Sequence, residues 1–403
     1  MKMTLKEQKG MKMAEDAKVP EGWKRVRLGE VIIENKKSHF KVEDADNNGD
    51  YPFFTSGEDV LTHSNYLVDN ENLFLSTGGT AYVYYYNGKA SYSADTYVIK
   101  SKIDTKYLYY FLFKKINHIT FRYFIGSGLE HLQKDDLKRR FELLFPEKPE
   151  EQRKIAEILE TVDNAIEKTD AIIEKYKRIK QGLMQDLLTR GIDENGQIRS
   201  EETHRFKDSP LGRIPEEWEV VELGEVFKLK SGMTRPCDTS ESGNYPIYGG
   251  NGILGYTNEK NFDIETIIIG RVGEYCGVVY IASGGWVTDN ALYVVVKKRD
   301  YNNLFLCYLL NYVNLNQYSA ETGQPLMTQS IVYKIQIPLP PLPEQKRIAS
   351  ILFQIDEAIE KEQKYKEKLE RIKKGLMEDL LMGKVRVNHL IGENKSLERV
   401  ENV

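Results

Sequence analysis

EQRKIAEILETVDNAIEKTDAIIEKYKRIKQGLMQDLL occupies residues 151–188, and EQKRIASILFQIDEAIEKEQKYKEKLERIKKGLMEDLL occupies residues 344–381. Matched positions lie a constant 193 residues apart, from Gln152 and Gln345 through Gly182 and Gly375 to Leu187 and Leu380. In the first copy Ile155, Leu159, Val162, Ile166, Ile173, Tyr176, Ile179, Leu183 and Leu187 recur at helical spacings, with Thr169 in the one polar slot. In the second, Ile348, Leu352, Ile355, Ile359, Leu369, Ile372, Leu376 and Leu380 do the same, interrupted by Glu362 and Lys366. That pattern predicts one narrow apolar seam per helix. No proline breaks either run, so at about 1.5 Å per residue each copy makes a rod of roughly 57 Å. A rod that long with so narrow a seam needs a partner to be stable. Each copy is therefore expected to pair with the other, antiparallel, about a pseudo-twofold axis.

Working outward, both helices begin at prolines: FPEKPEEQ (145–152) and PLPPLPEQ (338–345). Proline forces an extended approach, and acidic residues then occupy the first turn, where the helix dipole favours them. Gly191 and Gly383 are placed to stop the helices in the left-handed conformation. A second echo precedes each globular segment: PEGWKRVRLGEVI starts at Pro20 and PEEWEVVELGEVF at Pro215. The chain thus reads as two tandem units, each a globular segment followed by a long helix. The expected division is a leader at 1–20, a first domain at 21–148, a helix at 149–190 and a linker at 191–214. A second domain follows at 215–341, a helix at 342–385 and a tail at 386–403. Runs rich in β-branched and aromatic residues, broken by Gly78-Gly79, Asn87-Gly88 and Gly284-Gly285, make the globular segments strand-rich. Asn87-Gly88 reads as a hairpin turn, and Tyr84-Tyr85-Tyr86 as strand packing more than base stacking. The fold class is α+β: two strand-rich α/β domains separated by two long antiparallel helices.

Composition narrows the function classes. No apolar run approaches the roughly 20 residues of a membrane span, and residues 1–20 lack the apolar core of a secretory signal. The three cysteines, Cys237, Cys276 and Cys307, have neither even number nor C-x-x-C spacing, so they read as reduced thiols in or near a core. Net charge is −4. Residues 21–148 carry 18 Lys+Arg against 18 Asp+Glu, and residues 215–342 carry 9 against 14. Any nucleic-acid affinity must come from local patches or from a partner's charge.

The doubled PxGW…LGEV openings, the Pro-then-GluGln helix starts, the repeated IKxGLMxDLL helix ends and the linker FKDSPLGRIPEEW (206–218) together resemble the specificity subunit of type I restriction-modification systems. The resemblance runs from about Pro20 to Val385. It implies two target recognition domains, each reading one half of a split double-stranded DNA sequence. It also implies spacer helices that fix the gap and dock DNA methyltransferase (M) subunits, two in number, with restriction (R) subunits as further partners. The family carries no methyl-transfer or nuclease chemistry of its own. S-adenosylmethionine, ATP and magnesium belong to the partner subunits, and the implied location is the cytoplasm, with no membrane.

The residues agree that no chemistry is built in. There is no GxxxxGK[ST] phosphate loop, no HExxH and no GxSxG elbow, and the six histidines do not cluster. Asp95 (SADTY) and Asp289 (VTDNALY) hold matching places and read as turn residues. Base readout calls for Arg, Lys, amide and hydroxyl side chains on loops. In the first domain these are Ser56, Thr77, Thr96, Ser127, His131 and Lys134. In the second they are Asn251, Arg271, Thr288, Asn290, Gln324, Thr328 and Gln329. Each alone reads as structural or phosphate-positioning more than base-reading. Arg271 faces Thr77 across the repeat, so two different half-sites are expected. A two-headed scaffold joining protein partners is the competing reading, favoured by the acidic balance.

Overall fold

The computed structural model describes residues 19–46, 48–237, 239, 241–320 and 324–391; most of the expected leader and the end of the expected tail lie outside them. The chain forms two compact units whose borders fall inside the long helices, at Asp170/Ala171 and Lys364/Tyr365. Each unit therefore contains one globular domain, the first half of one long helix and the second half of the other.

In the first unit, strands Ile32–Glu34, Thr96–Ser101, Glu71–Ser76 and Val83–Asn87 lie in that order in an antiparallel sheet. Strand periodicity divides its side chains. Leu73, Leu75, Tyr97 and Ile99 face the helix Thr105–Lys114 through Leu108, Phe111 and Leu112, while Phe74 and Val98 join Phe54, Ala90 and Tyr92 on the other side. The second side is covered by a small sheet in which Tyr51–Phe54 runs parallel to Ser91–Tyr92. The second unit repeats this. Ile267, Ile269, Leu292 and Val294 share a core with Phe305, Leu306 and Leu309 of the helix Asn303–Val313. Ile268 and Tyr293 pack with Tyr248, Phe262 and Val287. Tyr245–Gly249 is parallel to Val279–Val287.

The turn joining Glu71–Ser76 to Val83–Asn87 runs through Gly78-Gly79. Asn87-Gly88 is not a hairpin turn, contrary to the sequence reading: there the chain leaves one sheet for the other, with Gly88 at φ +143° and its N–H donating to Asn70 O. Tyr84, Tyr85 and Tyr86 lie in the sheet, as expected. Residues 206–215 of the linker form a hairpin, Phe206–Ser209 with Gly212–Pro215. Cys276 is buried and Cys307 half-buried, but Cys237 is exposed, outside any core.

The two long helices are Pro149–Thr189 and Leu342–Leu381. In the first unit Lys373 binds Asp163 at 2.5 Å and Lys366 binds Asp170 at 2.7 Å. Rising numbers on one helix meet falling numbers on the other, so the pair is antiparallel. In the second unit Lys180 binds Asp356 at 2.6 Å. Asp163 also accepts from Tyr110 Oη at 2.8 Å, and Asp356 from Tyr308 Oη at 2.6 Å. Asp163 and Asp356, and Lys180 and Lys373, are related by the 193-residue offset of the helices, so each unit holds an equivalent Tyr–Asp–Lys set. Ile179 and Ile372, counted in the seams from spacing, are 39% and 41% exposed. Leu187 and Leu380, further along, are buried at 1% and 3% exposure, so this matched pair leaves the seam locally.

The GluGln at each helix start holds the domain to the rod. Gln152 donates to Pro146 O at 2.7 Å and accepts from Asp104 N at 2.9 Å. Gln345 does the same with Pro340 O (2.8 Å) and Asn302 N (2.9 Å). Asp104 and Asn302 in turn cap the helices Thr105–Lys114 and Asn303–Val313, accepting from Tyr107 N and Phe305 N. Glu151 binds Arg386 at 2.7 and 2.9 Å. Glu344 is chelated by Arg199 (2.5 and 3.1 Å), Ile192 N (2.9 Å) and Trp218 Nε1 (3.2 Å). Gly191 and Gly383, both at φ +65°, end the helices beside these pairs, as their sequence positions predict.

Candidate nucleic-acid interface

In the first domain the backbone brings four loops together. Asp95 O is the hub: Thr77 Oγ1 donates to it at 2.6 Å, and Ser56 Oγ also donates to it. Thr77 N donates to Ser56 Oγ at 3.0 Å. The residue after Thr77, Gly78, pairs with His131, and Thr77 O accepts from Leu132 N at 2.9 Å. Thr96 is buried, its hydroxyl donating to Phe54 O at 3.0 Å, so it supports the loop from beneath instead of facing a ligand. Ser127 is exposed in the turn 126–130. Lys134 Nζ lies over the Tyr97 ring at 5.1 Å; burial, reinforced by the nearby Lys37 charge, holds its amine below the ordinary lysine range.

The second domain uses the same scaffold with other side chains. Arg271 N donates to Asn290 O at 2.9 Å and Arg271 O accepts from Met327 N at 2.8 Å. Gly250 lies beside Asn290 O, where a Cβ would make an ordinary contact at 3.6 Å, and Gly273 lies tighter against the Gln324 amide, at 3.1 Å from a Cβ. Asn251, Asn290 and Gln324 are exposed and Arg271 half-exposed. Thr288 is buried, at 2% exposure; its N–H donates to Tyr248 O, but unlike Thr96 its hydroxyl has no hydrogen-bond partner among the described residues. Thr328 is spent as an N-cap, accepting from Ile331 N at 3.3 Å, which leaves Gln329 in the first turn of that short helix.

Equivalent hydrogen bonds set the correspondence between domains. Ser93 N donates to Phe54 O and Thr288 N to Tyr248 O; Ala94 N donates to Phe40 O and Asp289 N to Met233 O. Asp95 therefore corresponds to Asn290, and Asp289 to Ala94, one position off the match read from sequence. Ser56 likewise corresponds to Gly250. Thr77 and Arg271 do correspond: both follow a strand, and each carbonyl accepts from the loop bearing Leu132 or Met327. Sequence reading missed the loops that close each cluster, at 36–41 and 233–235. Lys36-Lys37 and Arg235, cations just past the first strand of the sheet, were the available signal. Among the described residues no group of His, Cys, Asp and Glu could hold a metal ion, and no helix is long and apolar enough to cross a membrane.

Each globular domain, with most of the long helix after it, matches the type I restriction modification DNA specificity domain, over residues 20–177 and again over 215–371. The chain belongs to that family. The type I restriction enzyme MjaVIII specificity subunit of Methanocaldococcus jannaschii is 29% identical, over 96% of this chain and 99% of its own length. The type I restriction enzyme EcoDI specificity subunit of Escherichia coli is 28% identical, over 86% of this chain and 84% of its own. A crystal structure of the S subunit of a type I restriction-modification system from M. genitalium has the same fold. Its TM-score is 0.68 at 19% identity, over 91% of this chain and 98% of that one.

Proposed function

We propose that this chain is the DNA sequence-specificity subunit of a type I restriction-modification complex, non-catalytic by itself and acting in the cytoplasm. Its two loop clusters each read one half of a bipartite, asymmetric duplex target, and the long helices set the gap. One observation supports this above the others: the two clusters share a hydrogen-bonded scaffold but differ in nearly every side chain they offer. Thr77 stands against Arg271, Asp95 against Asn290 and Ser56 against Gly250. A shared frame with divergent tips is what two readers of different half-sites require. Restriction and methylation chemistry, with S-adenosylmethionine, ATP and magnesium, reside on partner subunits.

DNA methyltransferase subunits dock on the exposed faces of the rods. Ile172 and Ile179 on the first helix and Tyr365 and Ile372 on the second are all 39–49% exposed. They are matched by the same 193-residue offset, which suits two copies of one partner. Methylome sequencing of cells expressing this chain with its neighbouring methyltransferase tests the reading, with a split motif as the expected result. Exchanging residues 21–148 for another reader should change one half-site only, and deleting two helical turns from each rod should shorten the gap alone. A gap unchanged by the deletion refutes the ruler. A non-DNA scaffold predicts no salt-dependent duplex binding, with or without the methyltransferase.

A further inference from the structure

We infer that Arg271 is a guanine reader: its guanidinium contacts O6 and N7 of a G·C pair in the half-site recognised by residues 215–341. The inference rests on the DNA-reading role proposed above and goes beyond it to a base and a side chain.

Three observations converge. First, the residue is held in place before any ligand arrives. Its N–H and its carbonyl are both bonded, to Asn290 O and Met327 N. The preceding Gly270 is packed so tightly that a Cβ would fall 2.0 Å from Tyr275 O. Gly273 turns the chain away at φ +68°. A backbone fixed beforehand spends less conformational entropy on binding.

Second, the guanidinium is unsatisfied. Arg199, Arg213, Arg235 and Arg299 each find a protein acceptor. Arg271 has no ion pair among the described residues, and its Nε is buried without a hydrogen-bond partner. A partly desolvated charge with no acceptor is unfavourable in the free protein, and an acceptor supplied from outside would offset that cost.

Third, the surroundings select a base edge over a phosphate. Phosphate sites gather cations and free backbone N–H groups. Here exposed carboxylates, Asp289 and Glu274, stand on the two loops beside Arg271, and the Gly273 N–H is already donated to Pro325 O. Carboxylates repel a phosphate but accept from the cytosine N4 amino group, as Arg donates to guanine O6 and N7. Asn251, Asn290 and Gln324 at the rim are amides, again suited to base edges. In the first domain the corresponding Thr77 hydroxyl is consumed by Asp95 O, so the same contact cannot be made there.

The test uses the full chain in complex with its methyltransferase. Methylome sequencing with the wild-type chain, combined with the 21–148 exchange, assigns a half-site to residues 215–341; that half-site should contain a G. Arg271→Ala should relax that one position, with discrimination for G falling about 5- to 150-fold, the equivalent of one bidentate base contact. Replacing that G by 7-deazaguanine removes the N7 acceptor; it should weaken binding by the wild-type chain and leave Arg271→Ala unaffected, a comparison that needs no altered protein on its wild-type arm. A half-site without G, a motif unchanged in Arg271→Ala, or an equal loss on all sequences, which marks a phosphate contact, each overturns the inference while leaving the bipartite reading intact. Absence of any split motif with the wild-type chain would instead overturn the proposed function.

Discussion

Removing Arg199 should unlock the second unit. Its guanidinium is bidentate to Glu344, and the two side chains are only 9% and 4% exposed. In Arg199→Ala the Glu344 carboxylate keeps Ile192 N and Trp218 Nε1 but loses its countercharge. Breaking a buried pair from one side costs about 3–5 kcal/mol, because the remaining charge stays desolvated. For a cooperative unit of this size each kcal/mol lowers Tm by about 2–4 °C, so the transition should fall by roughly 6–20 °C. Arg299→Ala is the control. Arg299 meets two carboxylates, Glu219 and Glu225, but all three side chains are at least 40% exposed, and exposed pairs contribute about 0–1 kcal/mol. Adding Glu344→Gln to Arg199→Ala should recover part of the loss, since the amide oxygen still accepts from one of the two N–H donors, Ile192 N or Trp218 Nε1, and no charge stays buried. Thermal melts report the shift, and hydrogen exchange at strand 262–270 assigns it to the second unit. Equal shifts for Arg199→Ala and Arg299→Ala would refute the argument from burial.

Two further perturbations separate frame from reader. Gln345→Ala orphans Asn302 N and Pro340 O, each worth about 1–3 kcal/mol when buried and unpaired; urea titration should show the loss, and the methylated motif should not change. Gly191→Ala meets both a left-handed backbone and Glu344 Oε1 at 2.2 Å, and should cost at least the roughly 1–3 kcal/mol of a strained backbone site, read as a lowered Tm.

The frame was legible in the sequence because it is periodic and duplicated. Seam residues such as Ile155, Leu159, Ile348 and Leu352 are fully buried, and the proline starts and glycine stops fall where a helix requires them. The GluGln motif was visible as a repeat, but its function was not: nothing local says that Gln152 reaches 48 residues back to Asp104 N. The clusters were half legible. Residue type located Thr77, Arg271, Asn290 and Gln324 on loops that do converge. It could not separate Thr96, Thr288 and Thr328, whose hydroxyls face inward or cap a helix, from residues free to meet a ligand. The one-residue offset between Asp95 and Asp289 has the same origin. Similar letters were aligned, whereas the hydrogen bonds to Phe54 O and Tyr248 O define equivalence.

Gly182 and Gly375 bear on whether the rods are more than spacers. Both sit mid-helix in the IKxGLMxDLL repeat, and a Cβ added at either would have nothing within 4 Å. Glycine there costs about 0.8–1.0 kcal/mol relative to alanine, and no packing within this chain offsets it. Each lies three residues beyond an exposed isoleucine, Ile179 or Ile372, hence on the same face. An apolar knob beside a bare patch of backbone is a surface that another helix can approach closely, and the chain presents it twice. Gly182→Ala with Gly375→Ala should therefore raise the Tm of the free chain, since the two gains are independent. Leucine at both positions should leave the free chain folded yet weaken co-purification of the methyltransferase, as should Ile179→Glu with Ile372→Glu. If the double-leucine chain assembles with undiminished affinity, the glycines do not mark a docking face.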